Sequence, residues 1–366
     1  MRVLVTGATG LTGRHVVERL LSRGDKVRAL VLPETLERMR YRDQLEVLMG
    51  SLADKDVLER ATKNVEVVYH LAQLAPVPGR KLPDLIETNV KGTENLLRAC
   101  EDAGKVRRFV FHSSVQVYTP HPSPHMWPIR EDAGRMAHGS EHMKNFGQTK
   151  IDAEDLVQEY HRRAGFEYVI LRPTTSYGPG DRALEQLLLQ MTKHPHLVAA
   201  YSAQWGGMQW VYVGDLANAI VLAGTMAKAA NEVFTIAGGE LMTARSLAAT
   251  VQEIKQDARP SQRAAFRGNH GNLRLKRYDL TKAQRLLGYV PQVRLKEGLE
   301  KSLAVMDHHK LWMAGQESES ARGGFGLHAR RHAVGVPARQ ASSGEERAAG
   351  GHRAQLAVGP RRKPRR

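Results

Sequence analysis

The stretch Thr6-Gly7-Ala8-Thr9-Gly10-Leu11-Thr12-Gly13 stands between an apolar run, Val3 to Val5, and an amphipathic run, Leu11 to Arg23. In that setting Gly7 permits a tight turn, Gly10 lets the backbone approach a pyrophosphate, and Gly13 allows close packing of helix on strand. The helix start would turn unpaired amides and a positive dipole end toward the phosphates. A second chemistry-bearing pair is Phe146 and Lys150, whose i, i+4 spacing puts both on one helix face. The lysine brings a cation and a titratable amine, whereas a benzyl ring has no proton to give. The single cysteine, Cys100, shares an apolar helical stripe with Leu96 and Leu97 and reads as a structural thiol. His121, His125, His138 and His142 lack cysteine partners and tight ligand spacing, so no metal site is expected.

These groups need a frame, and the pattern supplies one. Apolar strands are predicted at Val3 to Val5, Val27 to Val31, Leu45 to Met49, Val65 to Leu71, Phe109 to Ser113 and Tyr168 to Arg172. Between them run helices at Leu11 to Arg23, at Leu82 to Ala103 with a break expected near Gly92, and at Asn145 to Arg163. Buried strands alternating with amphipathic helices imply parallel pairing with right-handed crossovers, hence an α/β, doubly wound sheet. Beyond Pro173 the pattern loosens into shorter elements. Helices are expected at Asp181 to Thr192, Asp215 to Ala227, Thr243 to Ile254 and Leu295 to Met306, with Val211 to Ala223 returning to the main sheet. The expected organisation is a dinucleotide-binding domain over 1–172, rejoined by 205–228, and a smaller substrate lobe over 173–312.

The glycine spacing resembles the extended short-chain dehydrogenase/reductase superfamily, which includes nucleotide-sugar epimerases and dehydratases. Further segments match it in order over roughly residues 1–305: His70-Leu71-Ala72, Asn89-Val90-Lys91-Gly92-Thr93, Ser113-Ser114-Val115-Gln116-Val117-Tyr118, Arg172-Pro173 with Tyr177-Gly178-Pro179-Gly180-Asp181, and Asp279-Leu280-Thr281-Lys282-Ala283 with Leu287-Gly288-Tyr289-Val290-Pro291. The resemblance implies a Rossmann-type fold. It also implies a cofactor site drawn from residues 7–13 (Gly7, Ala8, Thr9, Gly10, Leu11, Thr12 and Gly13) with Leu52, Leu71, Ala72, Asn89, Lys150 and Pro173. Ser114, Tyr118, Thr174 and Tyr177 would meet the substrate; Gln204, Trp205 and Trp210 are further candidates for the pocket lining, with the two tryptophans read first as packing residues.

In the family a Tyr-x-x-x-Lys pair does the proton work, beside a serine that matches Ser114. Here the segment is Phe146-Gly147-Gln148-Thr149-Lys150, so Ser114 and Lys150 are retained and the tyrosine is not. A missing general acid typically costs roughly 10²–10⁴ in rate. Stand-ins by neighbourhood are Tyr118, His142, His112 and Tyr177; a literal Tyr-x-x-x-Lys at Tyr278 to Lys282 is expected to lie far from the fifth strand. The cofactor expected is NAD(P). Val31 and Leu32 end the second strand with neither an acid for the NAD ribose nor an arginine for the NADP phosphate, which leans the expectation to NADP. Arg14 and Arg28 are candidate sources of positive charge, against a solvated-surface reading for each, and Ser51 replaces the acid that commonly contacts adenine.

Three functions follow from such a scaffold: NAD(P)-dependent redox or epimerase chemistry on a small carbonyl, alcohol or sugar; a non-redox cyclase, isomerase or lyase; and a nucleotide-binding protein without turnover. The formal charge of +16 does not argue for nucleic acid, because seven of the surplus charges lie in 316–366, where Phe325 is the sole aromatic residue and no apolar period persists. That segment reads as a disordered basic tail. No signal peptide and no run of roughly 20 apolar residues is present, so a cytoplasmic protein with no membrane partner is expected. Relatives often pair through helices matching Leu82 to Ala103 and Asn145 to Arg163, which suggests a homodimer.

Overall fold

The computed structural model describes residues 1–119, 128–193, 207–255 and 275–305. All of them fall in one compact unit, Met1–Gly315. The basic tail, Gln204 and Trp205 lie outside the described residues.

The core is a seven-stranded parallel sheet. Its strands are β1 (Arg2–Thr6), β2 (Lys26–Val31), β3 (Glu46–Met49), β4 (Val67–His70), β5 (Arg108–His112), β6 (Glu167–Pro173) and β10 (Glu232–Ile236). Their order is β10-β6-β5-β4-β1-β2-β3. The chain winds one way from β1 to β3 and the other way from β4 to β10, so the order reverses between β1 and β4. Ligands of open α/β sheets bind at such a reversal, outside the carboxyl ends of the strands.

Both faces are covered, which is why β1, β4 and β5 read as near-continuous apolar runs. On one face lie α1 (Leu11–Ser22) and α7 (Val213–Thr225). The opposite face packs against α2 (Lys55–Thr62), α4 (Gly92–Ala103) and α5 (Glu141–Ala164). Helix ends follow local chemistry. Asp54 caps α2 by accepting from Val57 N–H at 3.2 Å, while Gly104 and Gly165 close α4 and α5 in the left-handed conformation. The last turn of α5 holds His161, Arg162 and Arg163, cations that suit its negative end.

A second core gathers Tyr177, Leu184, Leu188, Leu247, Val251 and Leu299 from the later part of the chain. It is framed by α6 (Arg182–Lys193), α8 (Ala244–Lys255), a helix over 295–305, the pair β7 (Ser176–Tyr177) with β9 (Val211–Tyr212), and the strands β8 (Gly207–Gln209), β11 (Leu241–Thr243) and β12 (Leu275–Lys276).

Several expectations change here. The segment expected to return to the main sheet at Val211 to Ala223 does so, as the short strand β9 followed by helix α7 packed on the sheet face, whereas the seventh strand is β10, which the apolar pattern did not assign. Val233, Phe234, Thr235 and Ile236, ahead of Gly238 and Gly239, carry the β-branched and aromatic signal that marks it. Helix α2 was also unassigned. The expected break near Gly92 is instead a π-helical stretch, Ile86–Lys91, that joins α3 (Leu82–Leu85) to α4 without interruption. Arg28 is no surface residue: its Nη1 donates to the carbonyls of Arg60, Ala61 and Lys63 and its Nη2 pairs with Glu46.

Candidate active site

The end of β1 turns at Gly7, which holds φ +70; a Cβ there would fall 2.7 Å from Ala72 N. Gly13 packs so closely that a Cβ would drive into Gly7 O. Gly10, by contrast, meets only Gly7 O at 3.3 Å, so its outer side is open. As N-cap of α1 it provides no side-chain hydrogen bond, and the first turn carries no acid. Leu11, Thr12 and Gly13 therefore begin a 12-residue helix whose leading amides are uncapped, a cradle fitted to an anion. Ala8 is buried behind the loop, and Thr9 Oγ1 donates to Thr35 Oγ1 at 3.1 Å, tying it to the segment after β2.

The end of β4 is fixed to β1. Leu71 N–H donates to Thr6 O, and Ala72 N–H to Thr6 Oγ1 at 3.2 Å. Thr6 Oγ1 also meets His70 Nδ1 at 2.7 Å, while His70 Nε2 meets Thr93 Oγ1 at 2.9 Å. Burial, then the charge of Lys150, pushes the His70 pKa down to about 3, so it is a neutral brace. Asn89 clamps the following loop: its Oδ1 accepts from Leu74 N–H, and its Nδ2 donates to Leu74 O and Thr149 Oγ1. Leu52 packs over Gly92 and accepts Asn95 Nδ2 at its carbonyl.

At the end of β5, Ser114 Oγ accepts from Gln116 N–H at 3.2 Å, which leaves its own O–H to donate elsewhere. On α5, Phe146 and Lys150 are buried on one face, with Lys150 Nζ 5.9 Å from the Phe146 ring centroid. Lys150 Nζ donates to His112 O at 2.7 Å and sits 4.6 Å above the Phe111 ring. Its pKa falls to about 7 because burial outweighs the attraction of Glu154. Glu154 lies one turn further along the helix and is engaged otherwise. It takes Arg172 Nη2 at 2.7 Å and Nε at 3.0 Å, and Ser113 Oγ. This buried pair escaped the sequence reading, although an acid four residues after Lys150 was a legible signal.

The structure does not bring every expected residue to this point. Tyr118 is 1% exposed, its hydroxyl bonded to Thr235 and its ring stacked under Arg172 at 4.8 Å. Tyr177 packs in the second core against Trp210 and Tyr212, where it borders a small pocket with Trp210, Glu240 and Leu295. Thr174 N–H donates to Ile236 O at 2.9 Å, anchoring the chain after Pro173 to β10. His142 lies beside Ser140 at the start of α5. Tyr278 is not far from the fifth strand as expected: it packs on Tyr118 and Val115. Its companion Lys282 instead pairs with Glu232 at 2.7 Å, so the two do not form a proton-transfer pair. Arg14, one turn into α1, donates to Pro179 O at 2.7 Å.

The model of the NAD dependent epimerase/dehydratase family matches residues 3–237. The chain belongs to that family. Among curated proteins it is 30% identical over 316 residues to UDP-glucuronic acid decarboxylase 1 of Arabidopsis thaliana, covering 83% of this chain and 69% of that one. It is equally 30% identical over 353 residues to the decarboxylating sterol-4-alpha-carboxylate 3-dehydrogenase of Saccharomyces cerevisiae, covering 83% and 97%. A solved dTDP-glucose 4,6-dehydratase from Streptomyces venezuelae with NAD bound matches at 26% identity and TM-score 0.69, over 85% of this chain and 98% of that one. A UDP-glucose 4-epimerase from Thermotoga maritima matches at 25% and 0.69, over 84% and 99%. Among the described residues no helix is long and apolar enough to cross a membrane.

Proposed function

We propose that this chain is an NAD-dependent oxidoreductase or epimerase acting on a secondary alcohol or ketone of a ring substrate, with nucleotide sugars the first class to test. The carrying observation is the convergence of an uncapped α1 start, Ser114 and Lys150 on the carboxyl edge of β1, β4 and β5. When bound, the nicotinamide cofactor supplies or accepts the hydride. In its protonated form Lys150 holds two N–H groups beyond the one given to His112 O and uses them on ribose hydroxyls. Ser114 donates its free proton to the substrate oxygen and polarises it. Phe146 seals that side with an apolar ring, and the proton comes from water or from a group other than residue 146.

NAD replaces the earlier lean to NADP. Arg28 is spent on backbone carbonyls and Glu46, and Leu32 presents an exposed apolar side chain after β2. Neither offers a 2′-phosphate a partner, and the Streptomyces neighbour holds NAD. A cytoplasmic location and a homodimer through α4 and α5 belong to the same proposal; light scattering tests the latter. The deciding experiment is a fluorescence titration with NAD, NADH, NADP and NADPH, with Gly10→Val as control. Screening of UDP-glucose, UDP-glucuronate and a 3-hydroxysterol carboxylate follows. Binding of NAD(H) lost in the control supports the reading, and absence of binding by all four overturns it. An epimerase regenerates its NAD, so substrate conversion with neither transient bound NADH nor a deuterium isotope effect at the carbinol C–H would favour the non-redox reading that Phe146 motivates.

A further inference from the structure

His112 closes β5 and is 8% exposed, yet neither ring nitrogen has a hydrogen-bond partner. Among the described residues it is the one histidine with both nitrogens buried and unpaired. Native proteins satisfy the large majority of such atoms, and an orphan marks a place where a ligand or water completes the set. The ring's surroundings say which ligand. Side chains alternate along a strand. Phe109 and Phe111 face α4 and α5, while Val110 and Arg108 face α1 and α7, so His112 is placed on the α1 and α7 side. Its own carbonyl takes the Lys150 ammonium, and Ser114 follows two residues on. The sheet order separates β5 from the glycine loop of β1 by β4 alone, roughly 10 Å at ordinary strand spacing. A dinucleotide whose pyrophosphate lies on α1 and whose reacting end reaches Ser114 would cross the end of β5, where His112 stands.

We propose that the His112 imidazole hydrogen-bonds the carboxamide of the nicotinamide in the bound dinucleotide. The inference rests on the cofactor reading above. Burial and then the Lys150 charge hold the His112 pKa down to about 3, so the ring is neutral, with one donor and one acceptor nitrogen. The ring nitrogens diverge, so one ligand group meets one of them, and a primary carboxamide offers either an N–H donor or an oxygen acceptor to the nitrogen that faces it. A sugar hydroxyl offers the same two roles on one atom and is the competing occupant that the experiment must exclude.

The test compares NADH, ADP-ribose (which lacks the nicotinamide) and the 3-acetylpyridine analogue (which lacks the amide N–H). Each is titrated into wild type, His112→Phe and His112→Gln. His112→Phe is expected to weaken NADH roughly fivefold to tenfold and leave ADP-ribose unchanged, with His112→Gln recovering part of the loss. In wild type the acetyl analogue binds more weakly than NADH, and in His112→Phe that difference disappears. Because a buried substitution can unfold the protein, ¹⁵N-histidine NMR of wild type gives an independent reading: the His112 nitrogens shift on adding NADH and not on adding ADP-ribose. Equal NADH affinity in wild type and variant overturns the assignment, as do histidine shifts produced by a nucleotide sugar but not by NADH. If wild type binds ADP-ribose and NADH alike and His112 does not respond, the cofactor site stands and the His112 contact falls. If wild type binds neither, both fall.

Discussion

Replacing Phe146 by tyrosine is the sharpest perturbation of this site. The ring is 5% exposed, and Lys150 Nζ lies 5.9 Å from its centroid on the same helix face. A phenol there gains a cationic neighbour, and an opposite charge within a few ångströms lowers a tyrosine pKa from its usual value of about 10. Restoring a general acid is worth roughly 10²–10⁴ in rate, or about 3–5 kcal/mol of activation energy. Against this, a buried hydroxyl left unpaired costs about 1–3 kcal/mol of stability. The balance is therefore a faster enzyme with a melting temperature unchanged or a few degrees lower. Turnover of the best substrate from the nucleotide-sugar and sterol panel, at saturating NAD, measures the gain. Ultraviolet titration of the added phenol measures its pKa without any substrate. A folded Phe146→Tyr protein that binds NADH as wild type does, gains no rate and titrates at 10 or above would refute the claim that residue 146 faces the reacting oxygen beside Lys150.

Three further outcomes are expected. Glu154→Gln leaves Arg172 an uncompensated buried cation and should lower stability by about 3–5 kcal/mol, read from urea unfolding; a loss below about 1 kcal/mol would place the pair in solvent-like surroundings. Gly13→Ala sets a methyl against Gly7 O, so NADH affinity should drop along with stability, and an unchanged NADH titration would contradict a rigid glycine cradle. Lys150 has a folded pKa of about 7, below its unfolded value of 10.5. Below about pH 7 both states are protonated and the burial penalty is felt in full. Above it the folded state sheds the proton first, so stability rises with pH relative to Lys150→Met by about 1.4 kcal/mol per unit between roughly pH 7 and 9. Parallel unfolding curves for the two proteins across that window would show the amine to be solvated.

Much of this architecture was written in local pattern. The strand, glycine turn and helix at 2–22 follow from short-range chemistry: β-branched residues for β1, glycines where a Cβ would strike Ala72 N or Gly7 O, and an apolar stripe at Val16, Val17 and Leu20. The ordered segments from His70 to Pro291 marked the family in the same way: most sit at turns or strand ends whose geometry admits few residue types, while Asn89 to Thr93 lies in a helix where Asn89 and Thr93 are buried and hydrogen-bonded. The 3.6-residue period put Lys150 beside Phe146 before any coordinates.

What the linear chain does not carry is which partner claims each polar group. Whether Glu154 neutralises Lys150 or Arg172 depends on β6 lying next to β5, a contact set by sheet order, and it decides the charge state of the amine. Tyr118 is four residues past Ser114 on a promising segment, yet Thr235 from the seventh strand captures its hydroxyl. Tyr177 is drawn into the second core by Trp210 and Tyr212. His112 shows the converse: its neighbourhood made it one of four candidate proton donors, and only the packing of two sheet faces leaves its nitrogens buried and unpaired. Sequence specifies turns and periods because those depend on neighbours within a few residues. The allocation of hydrogen bonds and charges is decided by strands that meet only when the sheet closes over the crevice.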